Sequence, residues 1–128
     1  MTARALAGIL LFAGSLLARS AAGQNPAQDA DAAIGKEKYR LFCASCHGAN
    51  GDGHGPASKG LLPPPGDFRL GKFKYGATDR DLFEVISDGA ASKGGSGLMS
   101  GWSAVLSESD RWALVRHVRS FAKPPAVP

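Results

Sequence analysis

Both cysteines of this 128-residue chain lie in one five-residue stretch, Cys43-Ala44-Ser45-Cys46-His47. A pair at that spacing, followed at once by histidine, has three chemical readings, and each demands a different surrounding fold. A redox dithiol normally ends a strand that leads into a helix within a βαβ unit, and no strand pattern precedes Cys43. A structural zinc ion needs four ligands, and beyond His47 the chain offers only His54 and His117. The third reading uses every residue of the motif. Two thiols add across the two vinyl groups of a haem, and the histidine is placed beneath the iron as its axial ligand.

The N-terminus indicates where such a chain is kept. Met1-Thr2-Ala3-Arg4 is followed by an apolar run from Ala5 to Ala18 and then by small residues that include Ser20-Ala21-Ala22. This reads as a secretory signal peptide over residues 1–23, cleaved near Ala22 or Gly23, with a periplasmic destination. The apolar run is shorter than the roughly 20 residues a membrane-spanning helix needs, so the mature chain is expected to lack an integral span. An uncleaved anchor is the alternative.

About 100 residues remain, enough for one domain but with limited room for a protein-only core, which a bulky cofactor would help to fill. Removing Arg4 and Arg19 from the 15 Lys plus Arg leaves 13 against 11 Asp plus Glu, a formal +2 that does not mark a nucleic-acid binder.

The chain then reads as helices separated by loops. Residues 24–31 are polar and small, a flexible lead-in with Asp29 or Asp31 as candidate cap. Residues 32–42 place Ile34, Lys38, Leu41 and Phe42 at helical spacings and run directly into the cysteine motif. From His47 to Phe68, glycines and the Pro63-Pro64-Pro65 run exclude helix and strand. Thr78 with Asp81 predicts a capping box, and Gly89 the end of that helix. The glycine-rich stretch Ser87 to Trp102 is expected to be neither helix nor strand. Ser107 with Asp110 predicts a second capping box, opening a helix with Trp112, Val115, Val118 and Ala122 on its core face and Leu114 and Phe121 alongside. Pro124-Pro125 ends it, leaving residues 124–128 as a short Pro-rich tail.

With these motifs in place the sequence resembles the class I c-type cytochromes, from about Gly35 to Phe121. The resemblance rests on "GKEKYRLFCASCH", with Gly35 and Tyr39 eight and four residues before Cys43, on "GPASKGL" from Gly55, on a methionine in the loop before the last helix, and on "RWALVRHVRSFA". It implies a mostly α cytochrome c fold over residues 32–123, with three main helices wrapped around one covalently attached haem c and long Gly/Pro-rich loops. It is most similar to small bacterial cytochromes that carry electrons among dehydrogenases, reductases and terminal oxidases.

The second axial ligand decides between a closed iron and an open one. Met99 is the single methionine beyond Met1, and a thioether is a recognised ligand that raises haem potential. The resemblance points to the same position, while gap-filling in the core is the ordinary use of methionine. His54 lies seven residues after His47, too near to cross easily to the other face. His117 stands where the family commonly has an aromatic and is expected against Gly35 and Tyr39. The family often follows its methionine with proline, whereas here Ser100 and Gly101 follow, after Gly94, Gly95 and Gly97. A looser loop loses more entropy on ordering, so a labile iron-sulfur bond is expected.

Around the iron, the resemblance makes the Pro56 carbonyl the expected acceptor for the His47 ring N–H, with Pro63 to Pro65 next. Trp102 is expected either to donate to a haem propionate or to pack over the haem edge. Arg69, Lys72 and Lys74 form a candidate docking patch for redox partners. Together these readings describe an exported mono-haem electron carrier with no catalysis of its own, meeting a redox donor and acceptor. The alternatives are a haem sensor or small-molecule enzyme with an open sixth position, and a fixed subunit of a larger oxidoreductase complex.

Overall fold

A computed structural model of the chain describes residues 26–76 and 78–122. The expected signal peptide and Pro-rich tail lie outside the described residues. Helix α1 spans Pro26–Phe42 and α2 is a single turn at Ala44–His47; α3 spans Asp79–Asp88 and α4 Glu108–Ser120. Short 3₁₀ turns occur at Phe68–Leu70 and Ala90–Lys93, and no strand occurs among the described residues. The mostly α class is therefore as expected.

Helix α4 ends at Ser120, short of the expected Ala122, and two further boundaries differ from the expectation. Helix α1 begins at Pro26, so residues 26–31 are helical where a flexible lead-in was predicted. Proline is well suited to a first helical turn, because its missing N–H would find no partner there and its fixed φ is already helical. Ala27, Ala30, Ala32 and Ala33 then favour continuation. The second difference is the 3₁₀ turn at Ala90–Lys93, inside the stretch expected to be irregular. Gly89 opens it, and Gly94 closes it in the left-handed conformation.

Helix α3 has the predicted ends. Thr78 Oγ1 accepts from the Asp81 N–H at 3.1 Å while the Asp81 carboxylate accepts from the Thr78 N–H at 3.1 Å. Gly89 follows the last turn. At α4 only half of the predicted box is made: Ser107 Oγ accepts from the Asp110 N–H at 3.1 Å, and the Asp110 carboxylate faces Lys38 of α1 at 3.5 Å.

Helices α1 and α4 form the main packed pair, with α3 laid against α4. Their crossing is set by Gly35. A Cβ there would collide with the Ala113 carbonyl oxygen and lie 3.1 Å from His117 Cβ, so only glycine lets the two backbones approach this closely. The core gathers Tyr39, Leu82, Phe83, Ile86, Leu106, Leu114, Val115 and Val118. Leu114 is fully buried, and truncation of such a residue to alanine typically costs about 2–5 kcal/mol. Tyr39 sits 5.1 Å from the His117 ring and 5.0 Å from Phe121, so His117 packs where the sequence reading placed it.

Candidate functional site

The cysteine motif is positioned by an unbroken hydrogen-bond path. The Cys43 N–H donates to the Tyr39 carbonyl at 2.9 Å, continuing the ladder of α1, and the His47 N–H donates to the Cys43 carbonyl at 2.9 Å. The following loop folds back onto the motif: the N–H groups of Gly53, Gly55 and Ala57 donate to the carbonyls of His47, Cys46 and Ser45 at 2.8, 3.1 and 2.8 Å. Buried Tyr39 closes the arrangement by donating its hydroxyl to the Gly48 carbonyl at 2.8 Å. Three successive residues are thereby held from both sides, which fixes where their side chains project.

Those side chains project into an apolar cavity of about 260 Å³. Cys43, Cys46 and His47 form one part of its wall. Phe68 and Pro63 to Gly66 come from the first loop, Leu82, Val85 and Ile86 from α3, Met99 and Trp102 from the second loop, and Leu114 and Val118 from α4. Met99 is brought there by its main chain. Its carbonyl accepts from the Ala90 N–H at 3.1 Å, and the Trp102 N–H donates to the Ile86 carbonyl at 2.9 Å, so both sides of Ser100-Gly101 are tied to the end of α3. Before Met99 the packing alternates: an added Cβ at Gly94 or Gly97 would meet nothing within 4 Å, whereas one at Gly95 would collide with the Tyr75 ring.

His47 stacks on Phe68 with ring centroids 4.6 Å apart and planes at 20°. Burial lowers the pKa of its imidazole, and the Gly66 carbonyl opposes that shift. The ring is thus kept neutral, the form in which imidazole binds a metal. Its Nδ1 is buried without a hydrogen-bond partner, and the nearest backbone influence on the ring is that of Gly66. The Cys43 thiol is pushed up to about 12 by burial and by the neighbouring Cys46.

Several expected roles change with the geometry. Pro56 is exposed and lines an adjoining open groove of about 670 Å³, beside Asp52, His54 and Lys59, and not the cavity that His47 lines; the backbone influence on His47 is that of Gly66. The reason is that the Gly55-Pro56 segment is pulled onto the outer side of the motif by the bonds of Gly55 and Ala57 to Cys46 and Ser45. That groove shares Leu61, Pro64 and Pro65 with the cavity wall but contains neither cysteine, nor His47, nor Met99. His54 is solvated, its Nδ1 2.8 Å from the Asp52 carbonyl. Arg69 is not a free docking charge, because its guanidinium grips Asp67 through two contacts of 2.9 and 2.7 Å. Lys72 and Lys74 reach the cavity instead. Trp102 is half-buried, packed 5.1 Å from the Phe42 ring at the cavity wall. The stacking of Phe68 on His47 had no local sequence signal, since it joins residues across the whole first loop.

A family model described as cytochrome C oxidase, cbb3-type, subunit III matches residues 30–118. The chain belongs to this family. It is therefore a c-type cytochrome, which brings with it haem c and a part in haem-based electron transfer. No curated protein matches the chain. Among solved structures, the cytochrome is similar to a chain of the Kuenenia stuttgartiensis reducing HAO-like protein complex Kustc0457/Kustc0458, at 28% identity and a TM-score of 0.61. The similarity covers 74% of this cytochrome and 45% of that chain, so this chain spans less than half of its neighbour's length. No helix among the described residues is long and apolar enough to cross a membrane.

The residues present fit haem c. Two thiols, a neutral imidazole and a thioether meet in one apolar cavity, and the buried Nδ1 is the nitrogen a ligating histidine would leave for an outer partner.

Proposed function

We propose that this cytochrome is an exported mono-haem electron carrier, moving single electrons between a redox donor and acceptor in a respiratory or dehydrogenase chain. The observation that carries the reading is the convergence of Cys43, Cys46, His47 and Met99 on one apolar cavity. Cys43 and Cys46 would hold the haem through thioether bonds, and His47 and Met99 would bind its iron, so that the group would supply a one-electron redox centre at this cavity.

The protein's own residues set the conditions for that exchange. Phe68, Leu82, Ile86 and Leu114 line the cavity and would keep water from a bound haem, which would limit the reorganisation accompanying a change of charge. Trp102 and Phe42 pack together at the cavity wall, and backbone bonds on both sides of Ser100-Gly101 tie the Met99 main chain beside the cavity, which supports a closed iron. Export rests on the apolar run from Ala5 to Ala18 behind Arg4, with cleavage near Ala22 or Gly23 and a periplasmic location.

Protein-film voltammetry tests the carrier reading. One reversible one-electron wave, with no catalytic current on adding oxygen, peroxide or nitrite, is the expected result; a catalytic wave would move the protein to the enzyme class.

A second reading has its own support: the matching family model is described as an oxidase subunit, and the similar solved chain belongs to a complex. In that case the same haem serves a fixed electron-transfer subunit. Native-mass measurement on gently extracted material separates the two, since a carrier runs at its monomer mass and a subunit remains with larger partners.

A further inference from the structure

The cavity is apolar over most of its wall but carries permanent positive charge in one place. Among the described residues that line it, Lys72 and Lys74 are the two ammonium groups, and no aspartate or glutamate accompanies them. They flank Phe73, whose ring packs on the core with its centroid 5.9 Å from Phe68, so the pair is anchored from between. Both residues are exposed while contributing to the cavity wall, the combination expected of a long side chain whose stem lines an apolar surface and whose head stays in water.

The other cations of this region are engaged. Arg69 holds Asp67, Lys93 holds Glu84 at 2.6 Å, and Arg119 holds Asp79 at 2.8 Å. Lys72 and Lys74 form no ion pair with any described residue, and the Lys74 ammonium lies only over the Tyr75 ring, 5.3 Å from its centroid. A group suited to this cavity is apolar over its body and negative along one edge. Haem has that form, with two propionate carboxylates on one side of the ring.

We infer that Lys72 and Lys74 are the propionate-binding residues of this cytochrome, a role that rests on the haem reading above. A carboxylate at the edge of an apolar cavity is costly without a partner, and a charge-assisted contact to an ammonium relieves that cost. The same two charges oppose the extra positive charge of ferric iron and thereby raise the reduction potential.

The test compares haem-loaded Lys72→Gln/Lys74→Gln with Lys59→Gln, whose lysine lines the adjoining groove and not the cavity. Midpoint potentials are titrated between about pH 5 and about pH 8, the range in which a carboxylate deprived of its cations comes to titrate. The double variant should fall below both wild type and Lys59→Gln, and its potential should drop as pH rises through this range. Lys72→Arg/Lys74→Arg should restore the flat wild-type curve. Coinciding curves for the double variant and Lys59→Gln would overturn the assignment.

If the double variant does not mature, redox-difference infrared spectra of the wild type decide: carboxylate bands that stay ionised across the range support the pairing, and bands that protonate within it refute it. Covalent haem is read separately from the intact mass. A chain without it removes the haem reading itself, whereas a loaded chain with coinciding curves removes only the propionate assignment.

Discussion

The Ala90 N–H donates to the Met99 carbonyl at 3.1 Å, fastening the methionine of the cavity to the turn that directly follows α3. This contact depends on Gly89, which has φ +85° and would place a Cβ 2.7 Å from the Met99 oxygen and 2.9 Å from the Gly101 nitrogen. Gly89→Ala should cost about 1–3 kcal/mol through backbone strain and should also displace Met99. Urea denaturation reads the first effect, and the far-red sulfur-to-iron band of the oxidised protein reads the second. A variant with wild-type stability and an undiminished band would show that the turn does not position the ligand.

At the α1–α4 crossing, Gly35→Ala forces a methyl group against the Ala113 carbonyl, a contact that only a shift of the helices can relieve. The expected loss is about 1–3 kcal/mol, the range for overpacking. Tyr39→Phe removes the hydroxyl bond to the Gly48 carbonyl and should cost about 0.5–1.5 kcal/mol, since that carbonyl keeps the Gly51 N–H at 3.1 Å. Denaturation midpoints of the haem-loaded variants check both, and an unchanged midpoint for Gly35→Ala would contradict the packing described.

Acid sensitivity should come in part from His117. Burial holds its imidazole below the ordinary value, and the Lys36 charge acts in the same direction. As pH falls below about 6.5, the unfolded chain binds this proton before the folded one does. The contribution to stability is therefore complete above that value and is lost as pH falls toward the folded-state pKa. Denaturation midpoints should decline from about pH 7 to about pH 5, and the decline should be shallower in His117→Phe, which keeps an aromatic ring between Tyr39 and Phe121. Equal slopes would remove His117 from the account.

Local signals were legible in the sequence to the residue where they depended on short-range chemistry. Thr78, Asp81 and Gly89 marked both ends of α3 because caps are made by residues three or four apart. The cysteine motif was legible for the same reason, its spacing being part of its chemistry. What depended on chain reversal was not. Pro56 was favoured as the partner of His47, yet two backbone bonds carry that segment to the outer side and leave Gly66 nearer in effect. Arg69, Lys72 and Lys74 looked alike in sequence, and only folding showed one held by Asp67 and two facing the cavity. The early start of α1 has a weak sequence signal, because residues 24–31 are polar and small and only Pro26 in a first turn followed by alanines favours a helix there.

The central claim is that His47 and Met99 both bind the iron, and the absorption spectrum of the purified haem-loaded protein tests it most directly. It is recorded oxidised, then reduced, then with carbon monoxide added. The account predicts a far-red sulfur-to-iron band in the oxidised protein and no response to carbon monoxide after reduction. A missing band together with ready carbon monoxide binding would contradict it and assign the protein an open sixth position, as in a sensor or an enzyme.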